Sequence, residues 1–357
     1  MRAHTAPRPA ARNIAGQTSA RAPARARLAA VLARALRIVV VGLLAGTGLA
    51  SVLGRGGAWV WWFDLFAHFR IHYAALLLIC LVFAAALRRR RLVAIAGALL
   101  MLELVTLAPY AVPGDRSSAD PSLRLAHFNV LSANREHARV QAWIVETGAE
   151  LVFLQEVTPR WAEVLAVTPG HRLIEVVARD DNFGLAILAR DGGAVEIVGR
   201  EHLMFAGLPA LALQLRFDGR ALAVLSLHTL PPLSAAASAR RDAQMVAAAR
   251  WAATQEAAGA APVILGDFNA TPFSAALAPL TAAGLHDSLA AGGLLAAGSW
   301  PDWADWADWA DWAWPLRIAI DHCWHDARLV TLERTIGPAL GSDHRPLQVT
   351  LAWATGP

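Results

Sequence analysis

Asp267 and Asn269 close an apolar run, Val263-Ile264-Leu265-Gly266, and stand two residues apart. In an extended chain alternate residues share a face. A strand here therefore presents a carboxylate and a carboxamide side by side at its carboxyl end, a seat for a hard metal ion or a phosphate oxygen. Gly-Asp-x-Asn also builds ordinary turns, so the tetrapeptide decides nothing alone. The arrangement recurs, however. Asn129 follows Leu125-Ala126-His127-Phe128, Glu156 follows Val152-Phe153-Leu154-Gln155, and His228 follows Val224-Leu225-Ser226-Leu227. Asp321 and His322 follow Leu316-Arg317-Ile318-Ala319-Ile320, and Ser342-Asp343-His344 precedes a last apolar run. Each residue alone reads as a solvated or hydrogen-bonded surface group. Repetition at successive strand ends points to one polar site.

The elements that must position these groups are short. Apolar and alternating patterns predict strands over residues 123–128, 151–154, 184–188, 210–217, 221–227, 263–265 and 347–352, and helices over 135–147, 234–255 and 275–283. Asp218-Gly219 between two strand candidates predicts a tight antiparallel hairpin. The expected architecture is an α+β domain over 123–353 with sheet layers at its centre.

Composition separates this domain from what precedes it. A hydrophobic content of 56% over 357 residues exceeds that of an ordinary soluble domain and predicts a membrane part. Residues 1–117 carry fifteen arginines against three acids, a net +12, whereas 118–357 carry seventeen against twenty-five, a net −8. An acidic second half disfavours a sequence-independent grip on nucleic acid. The chain has no lysine, which excludes P-loop and Schiff-base lysine chemistry. Cys80 and Cys323, far apart, offer neither a disulfide framework nor a cysteine zinc site.

Residues 1–34 read as a basic, unstructured cytoplasmic tail and 35–113 as an anchor with apolar segments at 35–53, 73–87 and 92–112, the last interrupted by Glu103. A cleaved signal sequence is the rival reading of 35–53. The Arg88-Arg89-Arg90-Arg91 turn marks the cytoplasmic side. Three spans then leave a linker, 114–122, and the α+β domain outside. Trp59-Val60-Trp61-Trp62-Phe63 has the composition of an interfacial aromatic belt or of packing between helix ends. The Trp-Ala-Asp repeat of residues 302–313 fits neither helix nor strand period; it reads as a repeat expansion in a surface loop or as a Trp-rich flap meeting the membrane or a substrate.

Together, Phe128-Asn129-Val130, Gln155-Glu156-Val157, Gly184 with Ala186-Ile187-Leu188, Leu227-His228-Thr229, Gly266-Asp267-Phe268-Asn269, Ile320-Asp321-His322 and Gly341-Ser342-Asp343-His344 resemble the endonuclease/exonuclease/phosphatase superfamily. The resemblance implies the DNase I-like four-layer α/β sandwich and metal-dependent hydrolysis of a phosphate ester or anhydride. It implies that Glu156 binds the divalent metal, Mg²⁺ with Mn²⁺ or Ca²⁺ as alternatives, with Asn129 and Asp343 beside it. Asp267 would orient and deprotonate the attacking water, and Asn269 would hold a phosphoryl oxygen. His344, paired to Asp343, and His228 on the opposite wall would face the phosphate, while Asp321 would steady the histidines or a second metal. His322, where the family commonly has an apolar or aromatic residue, either tunes metal choice or lies on the far strand face. Arg241 either meets a phosphate or belongs to a solvated helix face.

Three spans with the sandwich outside resemble a bacterial membrane phosphatase group associated with glycopeptide-antibiotic resistance. That implies an inner-membrane enzyme acting on a polyprenyl phosphate or pyrophosphate, with membrane lipids as partners and no obligate protein partner. An extracytoplasmic nuclease and a non-catalytic envelope-ligand module are the other two readings.

Overall fold

The computed structural model describes residues 16–111, 121–302 and 315–354. The linker, apart from 121–122, the first fifteen residues and 303–314, which hold almost all of the Trp-Ala-Asp repeat, lie outside the described residues. The chain opens with α1 (Gly16–Leu53), a short α2 (Trp61–Asp64), α3 (Arg70–Ala86) and α4 (Arg90–Leu107). The basic stretch expected to be unstructured to residue 34 is thus helical from Gly16 onward. Its alanines and arginines are strong helix formers that continue the turn of the apolar segment behind them. Three stretches, Ala26–Gly56, Trp61–Ala86 and Arg90–Tyr110, are long and apolar enough to cross a membrane. Glu103, buried in α4, is bonded by Ser51 and lies 3.0 Å from Arg55 and 3.2 Å from Arg70, so its charge is compensated among the helices.

The second half folds as two six-stranded sheets. In one, β11 (Leu329–Ile336), β12 (Leu347–Trp353), β1 (Ser122–Asn129), β2 (Leu151–Gln155), β4 (Leu185–Arg190) and β3 (His171–Val177) lie in that order. In the other the order is β5 (Glu196–Phe205), β6 (Leu208–Phe217), β7 (Arg220–Leu227), β8 (Ala261–Asp267), β10 (Asp321–His325) and β9 (His286–Asp287). Only β1 with β2 and β7 with β8 pair in parallel; every other described ladder is antiparallel. Asp218 and Gly219 both adopt positive φ, 52° and 71°, and close the expected β6–β7 hairpin.

Side-chain alternation sorts the core into three layers. Leu125, Phe153, Leu213, Val263 and Leu265 pack between the sheets. Ala126, Val152 and Leu154 turn outward beneath α5 (His137–Glu146) and α6 (Pro159–Leu165), where Trp143 and Trp161 cover them. Ala223, Leu225 and Ile264 turn outward beneath α7 (Ala235–Ala257), which presents Met245, Ala248 and Trp251. Ser234 caps α7 by accepting from Ala237 N at 3.1 Å, fixing its start. Helix, sheet, sheet, helix is a four-layer α+β sandwich of the DNase I-like kind.

One expected strand is displaced. Residues 316–320, apolar apart from Arg317, make only the isolated Ile318 bridge to Trp300, and the strand runs from Asp321 to His325. All five residues of β10 are buried, with Cys323 in the inter-sheet core and Trp324 under α7. A strand covered on both faces can carry polar residues wherever each finds a partner.

Candidate active site

The alternation that fills the inter-sheet core also builds the site. Continuing Leu123 and Leu125 by twos along β1 gives His127 and Asn129; continuing Phe153 gives Gln155; continuing Leu265 gives Asp267. Asp321 shares the parity of Cys323. The same faces that are apolar along the strands become polar at one end of the sandwich, and the two sheets meet there. Gln155 ties them, donating from Nε2 to Leu227 O at 2.9 Å and accepting from Asp267 N at 3.0 Å. Gly266 permits this approach: its φ is 149°, and a Cβ would lie 2.0 Å from Leu227 O.

Glu156 should point away from Gln155 by strand parity. Its φ of 60° breaks the alternation, and its carboxylate reaches the cluster instead. A non-glycine residue held there is uncommon, and such conformations gather at functional sites. Asn269, with φ 46°, is a second case in the same place.

Asn129 is central. Its Nδ2 lies 3.1 Å from Glu156 Oε1, 3.3 Å from Asp267 Oδ2 and 3.5 Å from His344 Nε2, while Oδ1 accepts from Leu131 N at 3.1 Å. Glu156 Oε2 accepts from Ser132 N at 3.1 Å. Asp267 Oδ1 accepts from Asn269 N at 2.8 Å, and its Oδ2 faces two imidazoles, His344 Nε2 at 3.5 Å and His228 Nε2 at 3.6 Å. Asn269 Nδ2 donates to Thr229 O at 2.9 Å, which fixes its amide and leaves a second N–H.

Glu156, Asn129, Asp267, Asn269, His228, His344 and Asp321 are therefore brought together. Asp343 is not. The expected pairing of His344 to Asp343 is replaced by a bond from His344 Nδ1 to Asp321 Oδ2 at 2.9 Å, while Asp343 Oδ2 accepts from Trp300 Nε1 at 3.1 Å. Residues 341–344 bend, with His344 N donating to Ser342 Oγ at 3.0 Å, and this turn hands the imidazole to the carboxylate across the cleft. Among the described residues, no hydrogen bond or ion pair joins the Asp343 side chain to Glu156 or Asn129. His322 lies on the far face, with Nδ1 2.9 Å from Asp287 and Nε2 2.9 Å from Ala270 O.

The electrostatics follow from burial and pairing. Burial pushes Asp267 up to about 7, with the nearby Asp321 charge adding and His344 opposing. Burial works against a charged His344, but Asp321 and Asp267 outweigh it and raise the imidazole to about 10. Burial likewise disfavours ionised Asp321, yet His344 and His127 hold it below the usual carboxylate range. Burial and the two neighbouring imidazoles pull His228 down to about 3, so it is neutral at pH 7. The cleft holds an ion pair, His344 with Asp321, beside a carboxylate poised near neutrality, the disposition required of a general base.

His127 and Gln155 are the functional residues that motif reading passed over. His127 Nε2 lies 2.8 Å from Asp321 Oδ1 and grips the carboxylate from the side opposite His344. The available signal was parity: both sit on the core-facing register of strands already identified.

Among the described residues no group of three or more His, Cys, Asp or Glu side chains forms a protein-only metal cage. A hard divalent ion that keeps much of its water needs one or two carboxylates and the substrate's own oxygens. The Glu156 carboxylate fits such an ion; Asn129, whose Nδ2 faces that carboxylate while its Oδ1 accepts from Leu131 N, orients it.

The family description "Endonuclease/Exonuclease/phosphatase family" matches residues 126–344, more than half of the chain. The chain belongs to that family. Its members hydrolyse phosphate ester bonds, generally with divalent metal ions, and the chain is an enzyme of that class. No curated protein matches. Among solved structures, an endonuclease/exonuclease/phosphatase from Bacteroides vulgatus aligns at 20% identity over 66% of this chain and 100% of its own, with a TM-score of 0.51. A mannosyl-6-phosphatase of Bacteroides thetaiotaomicron aligns at 15% over 65% and 100%, TM-score 0.51. D. rerio TDP2, complexed with a single-strand DNA product, aligns at 17% over 65% and 100%, TM-score 0.51. At these identities the likeness is one of fold.

The site also meets the anchor. Asp64, at the end of α2, is 1% exposed. Its Oδ2 accepts from Arg241 Nη2 at 2.9 Å and Ser274 Oγ at 2.7 Å, and its Oδ1 from Ala275 N at 2.9 Å. His68 Nδ1 lies 3.0 Å from Thr271 Oγ1. Arg241 is thus neither a phosphate ligand nor part of a solvated face. It is 2% exposed and ties α7 to Asp64, which in turn accepts from the loop that follows Asn269.

Proposed function

We infer that the chain is a membrane-anchored, Mg²⁺-dependent phosphoesterase that hydrolyses a phosphorylated lipid, a polyprenyl phosphate or pyrophosphate, at the outer face of a bacterial inner membrane. The observation that carries this reading is the contact between Asp64 and His68 of the anchor and residues 241 and 271–275, which seats the catalytic loop against the membrane-spanning helices. A site held there meets lipid head groups at high effective concentration. The arginine run at residues 88–91, between α3 and α4, supports an outward-facing domain, and the net −8 of residues 118–357 counts against a nuclease.

Glu156, oriented by Asn129, would hold the ion, with Mn²⁺ able to replace Mg²⁺; when bound, it would neutralise phosphoryl oxygens. Asp267 Oδ2 orients a water molecule and takes its proton as the water oxygen bonds to phosphorus and the bond to the leaving group breaks. His344, charged through Asp321, directs its Nε2–H toward Asp267 and the phosphoryl oxygens. Asn269 contributes its free N–H. Neutral His228 serves as a hydrogen-bonding wall and adds no charge. Such chemistry rests on positioning and charge stabilisation.

The test is a substrate panel on the purified full chain in lipid vesicles. Phosphate release from polyprenyl pyrophosphate with Mg²⁺, and intact plasmid DNA, is the expected result; cleaved plasmid with no phosphate released would replace this reading with the nuclease. A reporter fused after Pro357 that works only in the cytoplasm would overturn the orientation.

A further inference from the structure

Beside the catalytic cleft a cavity of about 480 Å³ opens at the seam between the anchor and the catalytic domain. Its walls are Ile71 from the first turn of α3, Leu294, Pro315 and Ile336, and its polar edge is formed by Arg317 and Arg345. That volume falls within the roughly 300–1,000 Å³ of small-molecule sites, which combine apolar walls with a few placed polar groups. A narrower cleft continues it, sharing Ile71 and Leu294 and adding His68, Thr271 and Phe273. Thr271 is two residues from Asn269, and Arg345 follows His344 directly. The cavity therefore touches a stretch long and apolar enough to cross a membrane, Trp61–Ala86, at Ile71, and is bounded by segments adjoining the phosphate-handling loops in sequence.

We propose that this cavity binds the hydrocarbon chain of the lipid substrate, so that a membrane phosphate reaches the cleft with its tail still buried between α3 and the catalytic domain. The proposal rests on the lipid-phosphate reading above and adds to it the place where chain length is sensed. Three features select this occupant. The apolar wall includes Ile71 of a candidate span, so a chain entering there from the bilayer keeps its CH₂ groups out of water. Arg345 adjoins His344 in sequence, and both guanidinium groups are held by Asp302, which lies 3.1 Å from Arg345 Nε and is also bonded by Arg317. They give the rim a charge complementary to an anionic head group. Asp302 N donates to Asp343 O at 2.7 Å and Arg345 N to Ser299 O at 2.9 Å, so the rim is built on the same segment as the catalytic histidine.

The test uses the full chain in detergent micelles and two probes, a long-chain prenyl phosphate and its single-isoprene counterpart. The long-chain probe also carries a diazirine near the middle of its tail for photolabelling. Ile71→Trp and Ile336→Trp fill the cavity from opposite walls, so misfolding of one leaves the other informative. Each variant is expected to raise KM for the long-chain probe by about tenfold or more, as loss of a fitted apolar pocket does, with kcat unchanged and kcat/KM for the short probe within twofold of the unsubstituted chain. Photolabel is expected on peptides containing Ile71, residues 294–298 or Pro315, competed by unlabelled long-chain phosphate and lost in both variants. Equal effects on both probes, or label confined to α1 and the outer faces of α4, would overturn the proposal. Label in the cavity without hydrolysis would instead count against the lipid-phosphatase reading and leave the binding site standing. Hydrolysis of both probes without label would do the reverse.

Discussion

Replacing Asp64 by alanine removes the acceptor for three hydrogen bonds at once: Arg241 Nη2, Ser274 Oγ and Ala275 N. Arg241 remains 2% exposed and keeps one ion pair, to Asp242 at 3.0 Å, whose side chain is 53% exposed. Breaking a buried pair by removing one partner costs about 3–5 kcal/mol because the other charge stays buried. The surviving contact to Asp242 places Asp64→Ala at the lower end, about 3 kcal/mol. For a domain of this size that is roughly a 6–12 °C fall in Tm. Thermal unfolding of the purified chain in detergent measures it, and Asp64→Asn, which keeps one acceptor, should fall in between. The pairing itself is tested by the cycle with Arg241→Met. If the buried charge is the cause, the double variant is less damaged than the sum of the singles by more than about 1 kcal/mol. A Tm within 1 °C of the unsubstituted chain for Asp64→Ala, or strictly additive singles, would refute the docking argument.

Other expectations follow from the same geometry. Asp321→Asn should lower kcat by about 100-fold or more with little change in KM, because His344 loses the carboxylate that keeps it charged; steady-state kinetics decide. His344 is raised to about 10 in the folded chain from about 6.5 unfolded. Its pairing therefore stabilises fully below pH 6.5 and is lost as pH rises through about 10, so unfolding curves should show an alkaline decline that His344→Asn flattens. Asp287, where burial is outweighed by His322 and Arg334, is held below its usual value; its contribution is present above about pH 3.8 and lost below it, and Asp287→Asn should reduce the acid sensitivity. Gly266→Ala sets a methyl group against Leu227 O and Gln155 and should cost more than about 4 kcal/mol, read as failure to accumulate folded protein. Chelation should abolish turnover without lowering the helix and strand signal, and Mg²⁺ should restore it.

Much of the site was readable because period-two alternation carries the core face of each strand straight into the polar end, as at Asn129 and Asp267; Asn269, expected on the same strand face, lies past the end of β8 in a left-handed turn whose N–H bonds Asp267. Central strands such as 151–154 and 263–265 are apolar on both faces and stand out. Edge strands do not. Glu196–Phe205 alternates between exposed and half-buried residues and has no apolar signature, and Asp321–His325 hides its burial behind a run of polar letters. The partner of His344 was illegible for a different reason. Sequence adjacency favours Asp343, whereas the pairing is set by two sheets meeting, which brings in a residue 23 positions away. Arg241 and Asp64 are 177 positions apart, and nothing local in either segment announces that they touch. The left-handed turn at Glu156 was equally invisible, since parity alone would have sent its carboxylate to the wrong side.

The account stands on Asp267 accepting the proton of a water that attacks phosphorus. The direct measurement is phosphate release by the Asp267→Asn chain in vesicles, with metal saturating and circular dichroism taken on the same sample. Loss of turnover by about 1,000-fold with an unchanged spectrum is predicted, in line with removal of a general base. Turnover within tenfold of the unsubstituted chain would contradict it.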